Sequence, residues 1–277
     1  MVHGWVFRTA VVRAFAAAFT TLILAGCGPD RFIVLTTPPP GSGSLTGNWQ
    51  ITATTTSGGQ PFSALTGSLV EGTAETAGQT PLFAILQAVN PNSCFLGLTT
   101  VPLEGTLTGS SLSLLSLSDS GQYVNISGTS GSTQNTFTGN FSISDGCANG
   151  VKGSLSGTKI APLSGTYSGP WTLGSGGNPL SLTLSQDSSA DGLGYFHLQG
   201  SAAFTGLTCF TSGTLESSAS TISGQEVQLT FTTNEMNPSM VTMSGTLDPA
   251  AMTLTLTFIQ VISGSCSGDS GTASLTS

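Results

Sequence analysis

The sequence predicts an all-β protein with two tandem homologous antiparallel β-domains of about eight strands each, built as small barrels or sandwiches. Apolar residues alternate with hydroxyl residues along many short segments, and glycine-rich turns separate those segments. The chain also repeats its own motifs after 115–119 residues. Charged residues make up only 6 % of it, while 37 Gly, 40 Ser and 41 Thr fill 118 of 277 positions, which disfavours helical bundles.

Residues 1–26 have the pattern of an export signal. Arg8 and Arg13 precede an apolar run of ten residues, 14–23, which is shorter than the roughly 20 residues of a membrane-spanning helix. We therefore expect an exported protein whose mature chain begins after this segment.

The end of the signal, Leu24-Ala25-Gly26-Cys27, resembles the lipobox of bacterial lipoproteins. The resemblance implies cleavage before Cys27, with acyl chains added to the Cys27 thiol and to its new amino group. Stable membrane attachment requires two or more such chains. Gly28 follows, whereas an Asp at that place signals inner-membrane retention in enteric bacteria, so the resemblance favours the outer membrane over the inner.

Residues 27–44 form the expected lipidated tether. Pro38-Pro39-Pro40 favours a stiff extended helix, and the Gly/Ser run that follows is typical of a flexible linker. Beyond residue 26 the chain keeps three cations, Arg31, Lys152 and Lys159, against all 13 acids. This acidity excludes a nucleic-acid partner and attraction to anionic headgroups, so membrane association must depend on the acyl chains.

Four repeated motifs divide the rest of the chain into β-domains at 45–161 and 162–277. They occur in the same order in both halves: 45–49 with 163–167, Cys94-Phe95 with Cys209-Phe210, 126–129 with 243–246, and Cys147 with Cys266. Each half has an ordinary domain size.

Period-two alternation predicts the strands within each half. Apolar residues at every second position recur in segments 137–143, 180–184, 227–231 and 252–258. Segment 81–89 is ambiguous, because its Leu, Ala and Gln residues also favour a short helix.

The four remaining cysteines are expected to form two disulfides. The repeat favours Cys94 with Cys147 and Cys209 with Cys266, because each pairing joins corresponding positions within one half. Export to an oxidising compartment supports disulfides, and the scarcity of histidine disfavours a metal site.

Gly47-Asn48-Trp49 resembles the Gly-x-Trp motif with which calycins, the lipocalin and avidin group, open their eight-stranded barrel. The resemblance implies that Trp49 closes the barrel floor, with Lys152 as the late-strand cation on its ring. It also implies that a barrel mouth could hold a small apolar ligand. A generic barrel or sandwich remains the alternative.

No catalytic residue is expected. The string 266–271 resembles the nucleophile segment of chymotrypsin-like proteases and would make Ser270 the nucleophile. That mechanism requires a histidine base on an earlier domain. The lone histidine after the signal, His197, lies in the second half on a strand position that predicts solvent exposure, so we interpret the string as a turn.

These observations predict a lipid-anchored cell-envelope protein that acts as a non-catalytic binding or interaction module without cofactor or metal. Its expected partners are the membrane, through the acyl chains on Cys27, and an apolar small molecule or another envelope component. The alternative is a structural or adhesive lipoprotein that binds no small molecule.

We expect the Cys27→Ser variant to leave the membrane fraction, because it lacks the thiol that carries the acyl chains. Membrane fractionation and mass measurement of the N-terminal peptide test this, with Gly28→Ala as the control that should remain anchored. An unacylated N-terminus in the wild-type protein would refute the assignment.

Overall fold

The computed structural model describes residues 44–73, 78–95, 100–116, 121–172 and 177–277. The expected export signal, Cys27 and all of the tether except Ser44 lie outside the described residues. In the part that is described, strands dominate, and no helix has the length and apolar character that a membrane span requires.

The first eight strands close into an antiparallel barrel, called barrel 1, in which β1 pairs with both β2 and β8. The strands are β1 (Gly47–Ser57), β2 (Ala64–Glu71), β3 (Gln79–Val89), β4 (Val101–Thr108), β5 (Ser111–Ser116), β6 (Tyr123–Ser130), β7 (Thr136–Ser144) and β8 (Lys152–Ile160). The ambiguous segment 81–89 is therefore a strand. Leu82, Ala84 and Leu86 are buried there at alternate positions, a pattern that a helix would not produce.

The remaining strands form a second barrel, called barrel 2. They are β9 (Ser164–Trp171), β10 (Asn178–Ala190), β11 (Phe196–Phe204), β12 (Ser212–Leu215), β13 (Thr221–Ser223), β14 (Glu226–Thr233), β15 (Met240–Asp248), β16 (Thr253–Val261) and β17 (Ser270–Thr276). Both β12 and β13 lie between β11 and β14, and a 3-10 turn at Ser217–Ala219 separates one from the other. Together they fill one of the eight strand positions around the barrel. The pairing of β10 with β11 closes the ring. The prediction of two tandem antiparallel β-domains is thus confirmed, and the domains are barrels.

Each barrel is filled by its own side chains. In barrel 1, Trp49 is fully buried with its ring 5.4 Å from that of Phe137, and Phe62 lies at the same distance from Phe141. In barrel 2, the Trp171 ring stacks on Phe204 at 5.3 Å. The alternate residues, mainly Ser and Thr, face outward, so the period-two pattern separates core from surface.

We call the end at which the first strand of each barrel begins its floor, and the opposite end its top. Both disulfides lie at the tops: Cys94–Cys147 joins the β3–β4 and β7–β8 loops, and Cys209–Cys266 joins the β11–β12 and β16–β17 loops. They span 53 and 57 residues along the chain. Only residues 161–163 connect β8 to β9, so the chain passes directly from floor to floor.

We expect the double variant Cys209→Ser/Cys266→Ser to lose about 4 kcal/mol of unfolding free energy, because the open loop gains entropy in the unfolded chain. Denaturant unfolding under oxidising conditions measures this, and Cys94→Ser/Cys147→Ser should behave alike. A reductant should destabilise the wild type more than the first variant, because the variant has only the Cys94–Cys147 bond left to lose. Equal midpoints for variant and wild type would contradict the prediction.

Candidate functional site: the groove between the barrels

The side-chain amide of Asn48 joins the two barrels. Its Nδ2 donates to the carbonyl oxygen of Gly224 at 2.8 Å, and its Oδ1 accepts the Gly224 N–H at 2.6 Å. Asn48 is 2 % exposed although it points away from the core of its own barrel, opposite to Trp49. The carboxamide thus pairs with one residue's backbone at two points, as a neighbouring strand would.

Gly224 is suited to this contact because it lies in the tight turn between β13 and β14 with a φ of +57°. A Cβ at this position would collide with the side chains of Gln50 and Thr66. Two further bonds flank it: Gln225 N–H donates to Gln50 Oε1 at 3.2 Å, and Ser223 Oγ donates to Thr66 Oγ1 at 3.1 Å. The turn of barrel 2 is therefore docked on the outer face of β1 and β2.

A second contact is made by the β10–β11 loop, residues 191–195, at the floor of barrel 2. Gln87 Nε2 on β3 donates to the carbonyl oxygen of Leu193 at 3.1 Å. Gly194 lies so close to the carbonyl of Ile85 that a side chain would not fit. This loop therefore contacts barrel 1 independently of Asn48.

An open groove lies beside these contacts, with walls from both barrels. Its ionisable and amide side chains are Gln87, Asp191, Tyr195, His197, Glu226 and Gln228, and Ser, Thr and apolar residues complete the lining. Sites at domain junctions with a few converging polar groups are typical binding surfaces. We therefore take this groove as the candidate site.

His197 and Asp191 form the central contact of this groove. Nε2 of the imidazole lies 3.2 Å from Asp191 Oδ2, and Nδ1 lies 2.9 Å from the carbonyl oxygen of Ser217. The two side chains are 27 % and 28 % exposed. The sequence placed His197 on a solvent-facing strand position. The structure instead shows it half-buried, because the loop that carries Asp191 folds over it.

The groove does not have the arrangement of a hydrolytic site. Both ring nitrogens of His197 are engaged by acceptors, so neither is directed at a nucleophile. Ser270, at the first residue of β17, lies at the top of barrel 2, whereas His197 lies near its floor. Among the described residues, no three His, Cys, Asp or Glu side chains converge as a metal site would require.

The structure does not bring Trp49 and Lys152 together, which corrects the expected floor pair. Lys152 lies at the top of barrel 1, beside Ser57 and exposed, while Trp49 lies near the floor opposite Lys159. Since β1 and β8 run antiparallel, a residue near the start of β1 must face the end of β8. The indole N–H of Trp49 donates to the carbonyl oxygen of Leu45 at 2.7 Å.

Lys159 occupies the floor of barrel 1. Its Nζ donates to the carbonyl oxygen of Ser44 at 2.9 Å, while Glu71 Oε1 accepts the Leu45 N–H at 2.6 Å. Burial lowers the pKa of Lys159, and the Glu71 carboxylate acts in the opposite direction. The two charged side chains therefore hold residues 44 and 45, just before β1.

Two elements of the groove were not found from sequence. Asn48 was noted only as the middle residue of the Gly-x-Trp motif, because a polar residue on the outer face of a strand looks in sequence like a solvated one. The dipeptide Asp191-Gly192 is typical of a turn, but nothing in its composition indicates that the turn reaches the other barrel.

No known family model matches the chain, and no curated protein shows significant sequence similarity to it. The fold and the groove therefore define the protein by architecture alone, as a tandem pair of disulfide-bonded β-barrels.

We expect Asn48→Ala to lower the unfolding free energy by about 2–3 kcal/mol, because both backbone groups of buried Gly224 lose their partner. The matched control is Thr166→Ala, which truncates the exposed residue at the corresponding position of barrel 2 and should cost under about 0.5 kcal/mol. Urea unfolding measures both. Equal losses in the two variants would show that Asn48 does not couple the barrels.

Proposed function

We propose that this chain is an exported, lipid-anchored cell-envelope protein that acts as a non-catalytic binding module, with the groove between the barrels as its binding surface. The observation that carries the proposal is the groove itself. It is open, it combines polar with apolar lining residues from both barrels, and it lies beside the buried Asn48–Gly224 contact.

The packing of the barrel interiors supports an external site. The inward-facing aromatic and aliphatic side chains of each barrel contact one another in a single cluster. An apolar ligand in a barrel mouth, as the calycin resemblance implies, would have to displace these residues from their packed positions. We therefore favour another envelope component as the partner.

The lining of the groove indicates the chemistry of that partner. Asp191 and Glu226 contribute carboxylates, and Gln87 and Gln228 contribute amides that can donate and accept hydrogen bonds. A polar segment that presents hydrogen-bond donors or a positive charge would complement this surface.

The two disulfides support export, because such bonds form and persist in oxidising compartments. The lipobox supports attachment through Cys27, with the outer membrane as the proposed site. The lack of a free histidine nitrogen in the groove supports a role without catalysis.

Site-specific photo-crosslinking in the intact envelope tests the proposal. We expect a photoreactive residue at Gln228, exposed on the groove, to give one discrete adduct with an envelope component. The same residue at Thr255, exposed on β16 away from the groove, should give none.

A second variant tests the chemistry. Glu226→Gln keeps the side-chain shape but removes a carboxylate, so it should weaken the Gln228 adduct if the partner is cationic or donor-rich. Native mass spectrometry of the extracted protein would identify a small ligand directly. Identical patterns at Gln228 and Thr255, with no co-purifying mass, would favour the structural or adhesive role instead.

A further inference from the structure

The imidazole of His197 lies between two groups that can only accept hydrogen bonds. Nδ1 lies 2.9 Å from the Ser217 carbonyl oxygen, and Nε2 lies 3.2 Å from the Asp191 carboxylate. A neutral imidazole carries one N–H and leaves a lone pair facing the other acceptor, whereas the protonated ring carries two. Only the protonated ring can donate to both partners at once.

Asp191 connects this ring to a loop. Its second oxygen, Oδ1, accepts the backbone N–H groups of Leu193 at 2.9 Å and Tyr195 at 3.0 Å, and its own N–H donates to the Tyr195 carbonyl at 2.8 Å. The carboxylate therefore holds loop 191–195 in shape with one oxygen and contacts His197 with the other.

The same loop reaches barrel 1. The Leu193 carbonyl accepts Gln87 Nε2, and Gly194 lies against the carbonyl of Ile85. A continuous path of contacts thus runs from the 3-10 turn at Ser217, through His197 and the loop, to β3 of the neighbouring barrel.

We propose that protonation of His197 locks loop 191–195 onto barrel 1, so that the groove between the barrels is a pH-sensitive latch. In mildly acidic conditions the imidazolium holds both Ser217 and Asp191, and the loop stays docked. Loss of the proton removes one of these bonds and the positive charge of the ring, which weakens its contact with the Asp191 carboxylate and loosens the loop. The Asn48–Gly224 contact contains no titratable group, so the barrels stay joined while the groove changes.

Among the described residues, no Lys or Arg lines the groove around the ring. The titratable groups in the lining are Asp191 on the loop, Tyr195 immediately before β11 and Glu226 on β14, while the residues contributed by barrel 1 include none. Glu216 precedes the 3-10 turn. In the described structure both lysines lie on β8, outside this groove.

The chain contains a matched reference for the latch. In the β15–β16 loop at the same end of barrel 2, Asp248 Oδ1 accepts the N–H groups of Ala250 and Ala251 at 2.9 and 3.1 Å. This loop has the same carboxylate-to-backbone arrangement as loop 191–195, but the structure shows no histidine bonded to Asp248 among the described contacts.

Hydrogen exchange of the folded chain, measured by NMR at pH 5.5 and pH 8.5 and corrected for intrinsic amide rates, tests the latch. This interval spans the range in which histidine side chains change charge. We expect the protection of Leu193 and Tyr195 to fall about fivefold at the higher pH, the scale of one partly exposed ionic contact. Protection at Ala250 and Ala251 should not change.

Two variants and one direct observation complete the test. His197→Gln should abolish the pH dependence at Leu193 and Tyr195, and Asp191→Asn should abolish it while keeping an acceptor for both N–H groups. Nitrogen chemical shifts of His197 in the wild type should show the ring losing its second proton over the same pH interval in which the protection of Leu193 and Tyr195 falls.

The inference is overturned if the two loops respond equally to pH, if His197→Gln retains the wild-type response, or if the protection of Leu193 and Tyr195 changes while the proton count of the ring does not. None of these measurements requires a bound partner. Failure of the latch is therefore distinguishable from failure of the proposed binding function.

Discussion

The pairing of the Asn48 carboxamide with the backbone of Gly224 is the contact on which the arrangement of the two barrels depends. Small polar interfaces within a chain usually permit motion between domains. The Asn48–Gly224 pair resists such motion, since separation without complete hydration would leave both Gly224 groups unpaired. The bond from Gln87 to Leu193 adds a second and more exposed contact between the barrels, and the groove lies beside both.

The fold could be predicted from sequence because its signals are local or repeated. Alternation such as that of segment 227–231 specifies a strand with one buried face, and the repeat specifies two copies of one domain. In segment 252–258 the alternation misplaces Phe258, because a bulge between Leu256 and Ile259 turns its side chain outward. Whether each sheet closes into a barrel could not be predicted, because the strands of a sandwich and of a barrel show the same alternation of apolar and polar residues. Barrel 1 is closed by the pairing of β1 with β8, which joins residues about 100 positions apart in the chain. Segment 81–89 shows the same limit: its helix-favouring composition is overridden by pairing with β2 and β4.

The site was less predictable because it depends on geometry between elements. Lys152 was predicted as the partner of Trp49 because it lies on a late strand of the first domain. The antiparallel register of β1 and β8 instead places Lys159, on the same strand, opposite Trp49. His197 was correctly assigned to a strand, yet its burial comes from the Asp191 loop folding over it. A polar residue on an outer sheet face, such as Asn48, is indistinguishable in sequence from a solvated one until the neighbouring barrel is placed.

Comparison of the two repeats explains why the contact between a docking turn and a receiving face is made in one direction, from barrel 2 to barrel 1. Barrel 1 has the counterpart of the docking turn, since Gly109 has a φ of +60° between β4 and β5, as Gly224 has +57° between β13 and β14. Barrel 2 lacks the counterpart of the receiving face. Thr166 stands at the place of Asn48, and its hydroxyl lies 3.3 Å from Thr183 of its own sheet. A hydroxyl carries its donor and its acceptors on one oxygen, whereas a carboxamide presents a separate N–H donor and C=O acceptor side by side, which match the C=O and N–H of the glycine. A head-to-tail contact of this kind can continue to a further barrel only if each barrel carries both the receiving face and the docking turn. The exchange of Asn for Thr within the repeat therefore makes the two barrels a directional pair, with one receiving face and one docking turn in use.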